Sequence, residues 1–391
     1  MDNGDKAMKK TYLDNASTTF PKPECVAKAI YEYLTSSGAN INRGCYSEAY
    51  DIEAKVFETR QMICDLFHGE DCKNVVFTKN ITESLNILLK GFLKPGDHVL
   101  VSSMEHNAMM RPLNQLEEYG VSFSRIPCDE EGRLCVEDMG SLLRKETRLV
   151  VMLHASNVCG SLMPIKEVGE FCRKHSLKFF LDSAQTAGVW PINMEEMGID
   201  AVAFTGHKGL LGPQGIGGFI IKEDLISQIT PLLSGGTGSI SHTEEIPEFM
   251  PDRFEAGTMN LPGILGLRES LLYIEETGID KIREHELNLT GKFIKEVDKI
   301  QGIRIIGPKD MDKRSGVVSI QIEGQDQGVA ADRLDQEYGI MVRVGLHCAP
   351  AAHKSLGTYP EGTIRFSFGV FNTEDDVDLA VQALREIVGG K

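Results

Sequence analysis

The sequence predicts an α/β protein with a large, mainly parallel-sheet domain and a small α+β C-terminal domain. Two observations carry this. Short apolar runs of strand type alternate with amphipathic segments through the middle of the chain, the βαβ rhythm of a sheet covered by helices on both faces. From about Leu261 that rhythm gives way to a long helical stretch and then to shorter mixed elements. A length of 391 residues also suits two domains better than one.

The elements follow in order. Residues 1–25 read as an N-terminal segment packing on the small domain, with the polar stretch before Met8 expected to be disordered. The large domain is expected over 26–265. Its strands are NVVFT (74–78), HVLVS (98–102), VSFSRI (121–126), RLVVML (148–153), LKFFLD (177–182), DAVAF (200–204) and GGFII (217–221). Amphipathic segments such as TESLNILLKGFL and PIKEVGEFCRKH supply the helices between them. The small domain, 266–391, takes most of a helical stretch over 261–300, strands near VVSIQI, IMVRV and TIRFSF, and a closing helix, TEDDVDLAVQALREIV, opened by a Thr N-cap. In sheets of this kind ligands gather at the C-terminal ends of the strands.

Bulk properties narrow the function. A net charge of −16 argues against nucleic acid or an anionic membrane as partner, since both require a cationic face. No apolar run reaches the ~18 residues of a membrane-spanning helix. MDNGDKAMKK contains no hydrophobic signal core, so a cytoplasmic protein is expected. The nine cysteines contain no C-x-x-C pair, so neither a disulfide framework nor a metal site is expected. Cys64 and Cys172 fall in helical patterns and read as small packing residues.

Five local motifs could carry chemistry. In FTGHKGLLGPQGIGG (204–218) the glycines follow Lys208, the reverse of a phosphate-cradling P-loop, and Lys208 suits an imine-forming amine of lowered pKa. In LDSAQTAG, Asp182 ends a strand and either caps the next turn or pairs with a ring nitrogen, with Gln185 close behind. FTKNITESLN places Thr82 at a strand-to-helix turn, which serves equally as a plain N-cap or a phosphate site. SSMEHNA places His106 after a strand, either as surface decoration or to stack on a flat ring or shuttle a proton. HASNVCG places Asn157 where an amide either shapes a turn or bonds a ring hydroxyl. A lysine, an aspartate, a stacking candidate and a phosphate-binding turn on strand ends are the parts that hold pyridoxal 5′-phosphate.

With YLDNASTT, FEAGTMN and RVGLHCAP added, the chain resembles the class V aminotransferase fold group over nearly its whole length. Within that group it is similar to the cysteine desulfurases and selenocysteine lyases. The resemblance implies a pyridoxal-phosphate-dependent transferase of aminotransferase fold type I. It implies that Lys208 forms the imine with the cofactor, that Asp182 pairs with the ring nitrogen, that Gln185 bonds the ring hydroxyl and that His106 stacks on the ring. Thr82, Thr205 and His207 would hold the phosphate, and Asn157 would contact cofactor or substrate. Thr258, in FEAGTMN, would reach the neighbouring subunit's phosphate, implying a homodimer. Arg365 would grip the substrate carboxylate.

Cys348 decides the reaction. It is either a buried structural thiol or, beside His347 and nearby arginines, a reactive one. The resemblance makes it the nucleophile that takes sulfur from L-cysteine as a persulfide, releases alanine and passes the sulfur to an acceptor protein. L-Selenocysteine is the alternative substrate; transamination, epimerisation, cysteine lysis and a non-catalytic scaffold are further alternatives. Two departures stand out: Asn80-Ile81 in the phosphate turn, and Leu346 where relatives often carry a second histidine.

Overall fold

The computed structural model describes residues 10–41, 44, 46–240 and 242–390. The expected disordered stretch before Met8 lies outside them. In chain order the first elements are β1 (Thr11–Tyr12), α1 (Glu24–Glu32) and α2 (Ser47–Leu66). Then follow β2 (Val75–Thr78), α3 (Ile81–Phe92), β3 (His98–Ser102), α4 (Asn107–Glu117), β4 (Ser122–Ile126), β5 (Thr147–Leu153), α5 (Ile165–His175), β6 (Lys178–Asp182), β7 (Ala201–Thr205) and β8 (Gly217–Ile221).

Strands β2–β8 form one seven-stranded sheet in the order β2-β8-β7-β6-β5-β3-β4. The β3–β4, β3–β5, β5–β6 and β6–β7 pairs are parallel, and β8 runs antiparallel to both its neighbours. All seven runs expected from the sequence are strands, and the sheet is mainly parallel. The exception has a local cause: the chain returns from β7 to β8 without a helix, so no crossover is available to make the pair parallel. Every residue of β2, β3, β7 and β8 is buried, as continuous apolar runs in a doubly covered sheet should be.

Beyond the sheet come α6 (Leu261–Thr277) and α7 (Ile279–Val297), so the helical stretch is two helices. Gly278, at φ +89°, makes the break in a conformation that an L side chain resists. The remaining elements are β9 (Ile303–Ile306), β10 (Val317–Ile322), α8 (Gln327–Tyr338), β11 (Ile340–Met341), β12 (Arg343–Gly345), α9 (Pro350–Ser355), β13 (Thr363–Ser367) and α10 (Glu374–Val388). Thr373 caps α10 and forms a capping box with Asp376, a device worth about 1 kcal/mol.

Strands β12-β13-β10-β9 make an antiparallel sheet. The run IMVRV, read as one strand, is divided: Ile340–Met341 pairs in parallel with β1, while Arg343–Gly345 joins β13. Leu13, fully buried, enters the same core as Phe293, Phe366 and Leu384, a burial worth roughly 1.5–3 kcal/mol. The N-terminal strand is thereby fastened to the small sheet, and the residues after it cross to the large one. Among the described residues no helix is long and apolar enough to cross a membrane.

Candidate active site

The C-terminal ends of β3, β5, β6 and β7 converge, and each delivers one of the residues singled out above. Asp182 closes β6 at 5% exposure, and its Oδ1 accepts from Ala184 N at 2.9 Å. Burial pushes its carboxyl up, while that N–H and the Lys208 amine pull it back. Lys208 follows β7. Burial and the Arg365 charge push its amine down to about 8, with Asp182 pulling the other way. An amine so placed is partly neutral at physiological pH, the form that attacks a carbonyl.

The glycines around Lys208 have a packing cause. A Cβ on Gly209 would meet Ala187 O at 2.5 Å, and one on Gly188, itself at φ +84°, would meet Gly209 O at 2.5 Å. The backbone after Lys208 thus lies directly on the backbone after Asp182 and Gln185. That crossing fixes lysine and aspartate relative to each other.

His106 caps α4, its Nδ1 accepting from Ala108 N at 2.9 Å. Burial and Lys208 push the imidazole down to about 4. A neutral ring whose Nδ1 accepts carries its proton on Nε2, so His106 offers a donor and has no free lone pair. Asn157 Nδ2 donates to His347 O at 2.8 Å, while its Oδ1, buried, has no partner. Thr205 Oγ1 and His207 Nδ1 are also buried without partners. His207 is pushed down to about 4 by burial, then by Lys208 and Lys22. Gln185 Nε2 donates to Ala16 O at 3.1 Å.

The small sheet supplies the other wall. Arg365, 1% exposed on β13, donates from Nη1 to Asn157 O at 2.9 Å and from Nη2 to Asp14 Oδ1 and Ser17 Oγ, both at 2.8 Å. Its Nε is buried and unpaired, a donor left for an incoming anion. Cys348 is exposed and receives Arg343 Nη2 at 3.5 Å. His347 and Cys348 both occupy the left-handed region, at φ +47° and +58°, where non-glycine residues cost roughly 1–2 kcal/mol each. Two bonds hold them there: Asn107 N to Cys348 O at 2.8 Å, and Asn157 Nδ2 to His347 O.

The structure therefore gathers Lys208, Asp182, His106, Asn157, Arg365 and Cys348, with Gln185, Thr205 and His207 beside them. Thr82 and Thr258 are exposed and make no hydrogen bond to this cluster. Asn80, at the N-terminus of α3, accepts from Glu83 N at 3.0 Å and so caps the helix that Thr82 enters. His347 does not act on the thiol as its adjacency suggested. It is 2% exposed, its Nε2 is 2.9 Å from Thr363 Oγ1, and burial drives it far below the usual imidazole range, so it carries no charge. Arg343 is the cation at the sulfur. Asp14 and Ser17 were also missed as site residues, although both lie in the quoted YLDNASTT. Glu105 was missed beside His106.

A half-buried lysine and a buried aspartate at the ends of parallel strands, ringed by unpaired polar atoms and faced by an arginine and a cysteine, define a carbonyl-cofactor enzyme acting on an amino acid. The chain belongs to the aminotransferase class-V family, whose model it matches over residues 11–380. That family is pyridoxal-phosphate dependent. A probable cysteine desulfurase of Methanothermobacter thermautotrophicus is 35% identical over 382 residues, covering 97% of this chain and 94% of that protein. The apo structure of a cysteine desulfurase from Thermococcus onnurineus superposes with a TM-score of 0.92 at 33% identity, over 98% of this chain and 95% of the other. A cysteine desulfurase of Escherichia coli gives 0.87 at 29% identity, over 97% and 94%.

The residues present fit the cofactor. The unpaired Asn157 Oδ1, Thr205 Oγ1, His207 Nδ1 and Arg365 Nε are buried polar atoms that await partners, around an amine and a carboxyl suited to an aldehyde and a ring nitrogen.

Proposed function

We propose that this chain is a pyridoxal-phosphate-dependent cysteine desulfurase, converting L-cysteine to L-alanine and leaving the sulfur on Cys348. The observation that carries the reading is the placement of Cys348. An exposed thiol, held in strained backbone, is tied through its own carbonyl to Asn107, next to His106, whose ring feels the Lys208 charge.

When bound, pyridoxal 5′-phosphate supplies an electron sink that makes the Cα proton of an amino acid acidic. Lys208 Nζ would hold the cofactor through its aldehyde, and its neutral amine would serve as the base for the substrate Cα proton. Asp182 would keep a proton on the ring nitrogen by offering it a carboxylate. Gln185 and Asn157 would present amides to the ring hydroxyl and the substrate, His106 would stack on the ring, and Thr205 and His207 would hold the phosphate, with Thr82 reaching it from the first turn of α3. Arg365 receives the substrate carboxylate on its free Nε, sharing Nη2 with Asp14 and Ser17.

Cys348 Sγ, as the anion, then attacks the sulfur of L-cysteine. The new S–S bond forms as the C–S bond breaks, and the electron pair of the C–S bond goes to Cβ. That carbon takes up a proton and leaves as the methyl group of alanine. Atoms balance: one cysteine and one thiol give one alanine and one persulfide. The Nε2–H of His106 stabilises the sulfur by donation; with Nδ1 occupied it is not a base.

The active unit in this reading is a homodimer. Tyr31, Leu34, Tyr46, Tyr50 and Phe57 are large apolar side chains left exposed around α1 and α2, and Thr258 faces outward as a residue reaching a second copy's phosphate would. The large unit to about residue 265 carries the cofactor, and the small one carries Cys348 and Arg365. An acceptor protein in the cytoplasm takes the persulfide sulfur.

The test is incubation of the loaded enzyme with L-cysteine. Alanine should appear with an equal amount of persulfide plus sulfide, and mass spectrometry should find the first added sulfur on Cys348. Pyruvate in place of alanine would overturn the reading.

A further inference from the structure

Glu105 lies one residue before His106, in the turn between β3 and α4, and is 1% exposed. Its Oε1 accepts from Ser102 Oγ at 2.5 Å and from Leu153 N at 3.2 Å, and its Oε2 lies 3.1 Å from the same N–H. Ser102 Oγ also accepts from Met104 N at 3.1 Å, within the same turn. The location explains the contact. β3 and β5 pair only as far as Val101 and Val151, and Leu153 is the last residue of β5. Its N–H points past the end of the β3 ladder, where a buried donor would stay unpaired. The Glu105 carboxyl takes the place of the missing strand.

We infer that Glu105 is a positioning residue: it bolts the β3–α4 turn to the end of β5 and so sets where the His106 ring sits above Lys208 and Asp182. The other side of this turn is fixed by Asn107 N on Cys348 O, so the turn over 103–106 joins β5, His106 and the thiol loop. Burial pushes the Glu105 carboxyl up to about 8, against the pull of the Ser102 hydroxyl and with a push from Asp182. At neutral pH it is then a neutral acid whose contacts a glutamine can copy, while alanine can copy none of them. The catalytic consequence rests on the desulfurase reading; the placement of His106 does not.

The test follows the His106 ring by nitrogen NMR in the cofactor-free protein. The charges bearing on that ring are Lys208, Arg343, Arg365 and Arg111, and none is altered by the substitutions. In the wild type the ring should remain neutral, with the proton on Nε2, down to about pH 4. Glu105→Ala should raise its midpoint by about one unit or more, towards the ordinary value of an imidazole in water. Glu105→Gln should hold the wild-type signal. In the loaded enzyme, Glu105→Ala should lower kcat on L-cysteine by about tenfold or more with little change in KM, and Glu105→Gln should restore most of it.

A folded Glu105→Ala protein with an unmoved His106 signal would overturn the proposal, and so would a glutamine variant shifted as far as the alanine one. If the alanine variant does not fold, Ser102→Ala takes its place: a shift in the same direction supports the proposal, and none overturns it. A wild type with no turnover of L-cysteine would refute the desulfurase reading and leave the NMR result standing.

Discussion

Arg343 Nη2 donates to Cys348 Sγ across 3.5 Å, while His347, the thiol's neighbour in sequence, turns its ring into the core against Thr363. The same guanidinium reaches Ser17 Oγ through Nη1 at 3.2 Å, and Ser17 also accepts from Arg365. A guanidinium N–H on sulfur is a charge-assisted contact that orients Sγ and gives it a cationic neighbour. Arg343→Met should therefore slow alkylation of Cys348 by iodoacetamide at neutral pH by about tenfold, read by mass spectrometry of the labelled peptide. His347→Gln should change that rate far less. Equal slowing by both would show that the arginine is not the group that matters.

Cys348→Ala separates the two substrates. A C–S bond needs an attacking thiol to take the sulfur, whereas a C–Se bond can part without one. The variant should keep its cofactor absorption band and lose L-cysteine turnover by about a hundredfold or more, a loss typical of deleting a covalent nucleophile. Cleavage of L-selenocysteine should persist. Unchanged turnover of L-cysteine would remove Cys348 from the mechanism.

The parts of the site that could be read from sequence are those a single strand end delivers. Asp182, Asn157, His106 and Lys208 each follow a run of strand-type residues, so the rule that ligands collect at such ends was enough to group them. The partners of Cys348 could not be read that way. Arg343 is five residues upstream on β12, and Ser17 comes from the other end of the chain. Their meeting depends on β1 pairing with β11, a contact between distant segments that periodicity does not encode. The same pairing splits IMVRV. His347 misled because adjacent residues in a left-handed turn point apart, so nearness in sequence said nothing about charge at the sulfur. Glu105 was hidden for a related reason: its role appears only when the ladder is seen to stop short of Leu153.

The Lys208 amine sets a pH dependence for cofactor uptake. Its value of about 8 lies below the ordinary 10.5 because burial and Arg365 disfavour the ammonium form. The neutral amine is the nucleophile, so its fraction grows as pH rises through 8. Mixing apoprotein with pyridoxal 5′-phosphate should give a yellow band whose rate of appearance climbs from pH 6.5 and levels above about 9. An unperturbed lysine would still be gaining rate near pH 10. Lys208→Ala should form no band at any pH. A wild-type rate still climbing at pH 10 would show that the amine is not enclosed as described.

Arg60 and Glu255 form a buried pair, with side chains 7% and 5% exposed and Nη2 to Oε2 at 2.5 Å. Glu255 Oε1 also accepts from Arg60 Nη1 at 2.8 Å and from Phe77 N at 2.7 Å, and Arg60 Nη1 donates to Val75 O at 2.6 Å. The segment that bears Thr258 is thereby anchored on edge strand β2. Arg60→Met would leave a buried carboxylate with a single N–H, which costs about 3–5 kcal/mol. Adding Glu255→Gln to that variant removes the stranded charge and should recover about half of the loss. Urea unfolding of the apoprotein followed by tryptophan fluorescence would measure both. A single variant as stable as the wild type would mean that the pair does no more than an exposed one, worth under about 1 kcal/mol, and that Thr258 is held by other contacts.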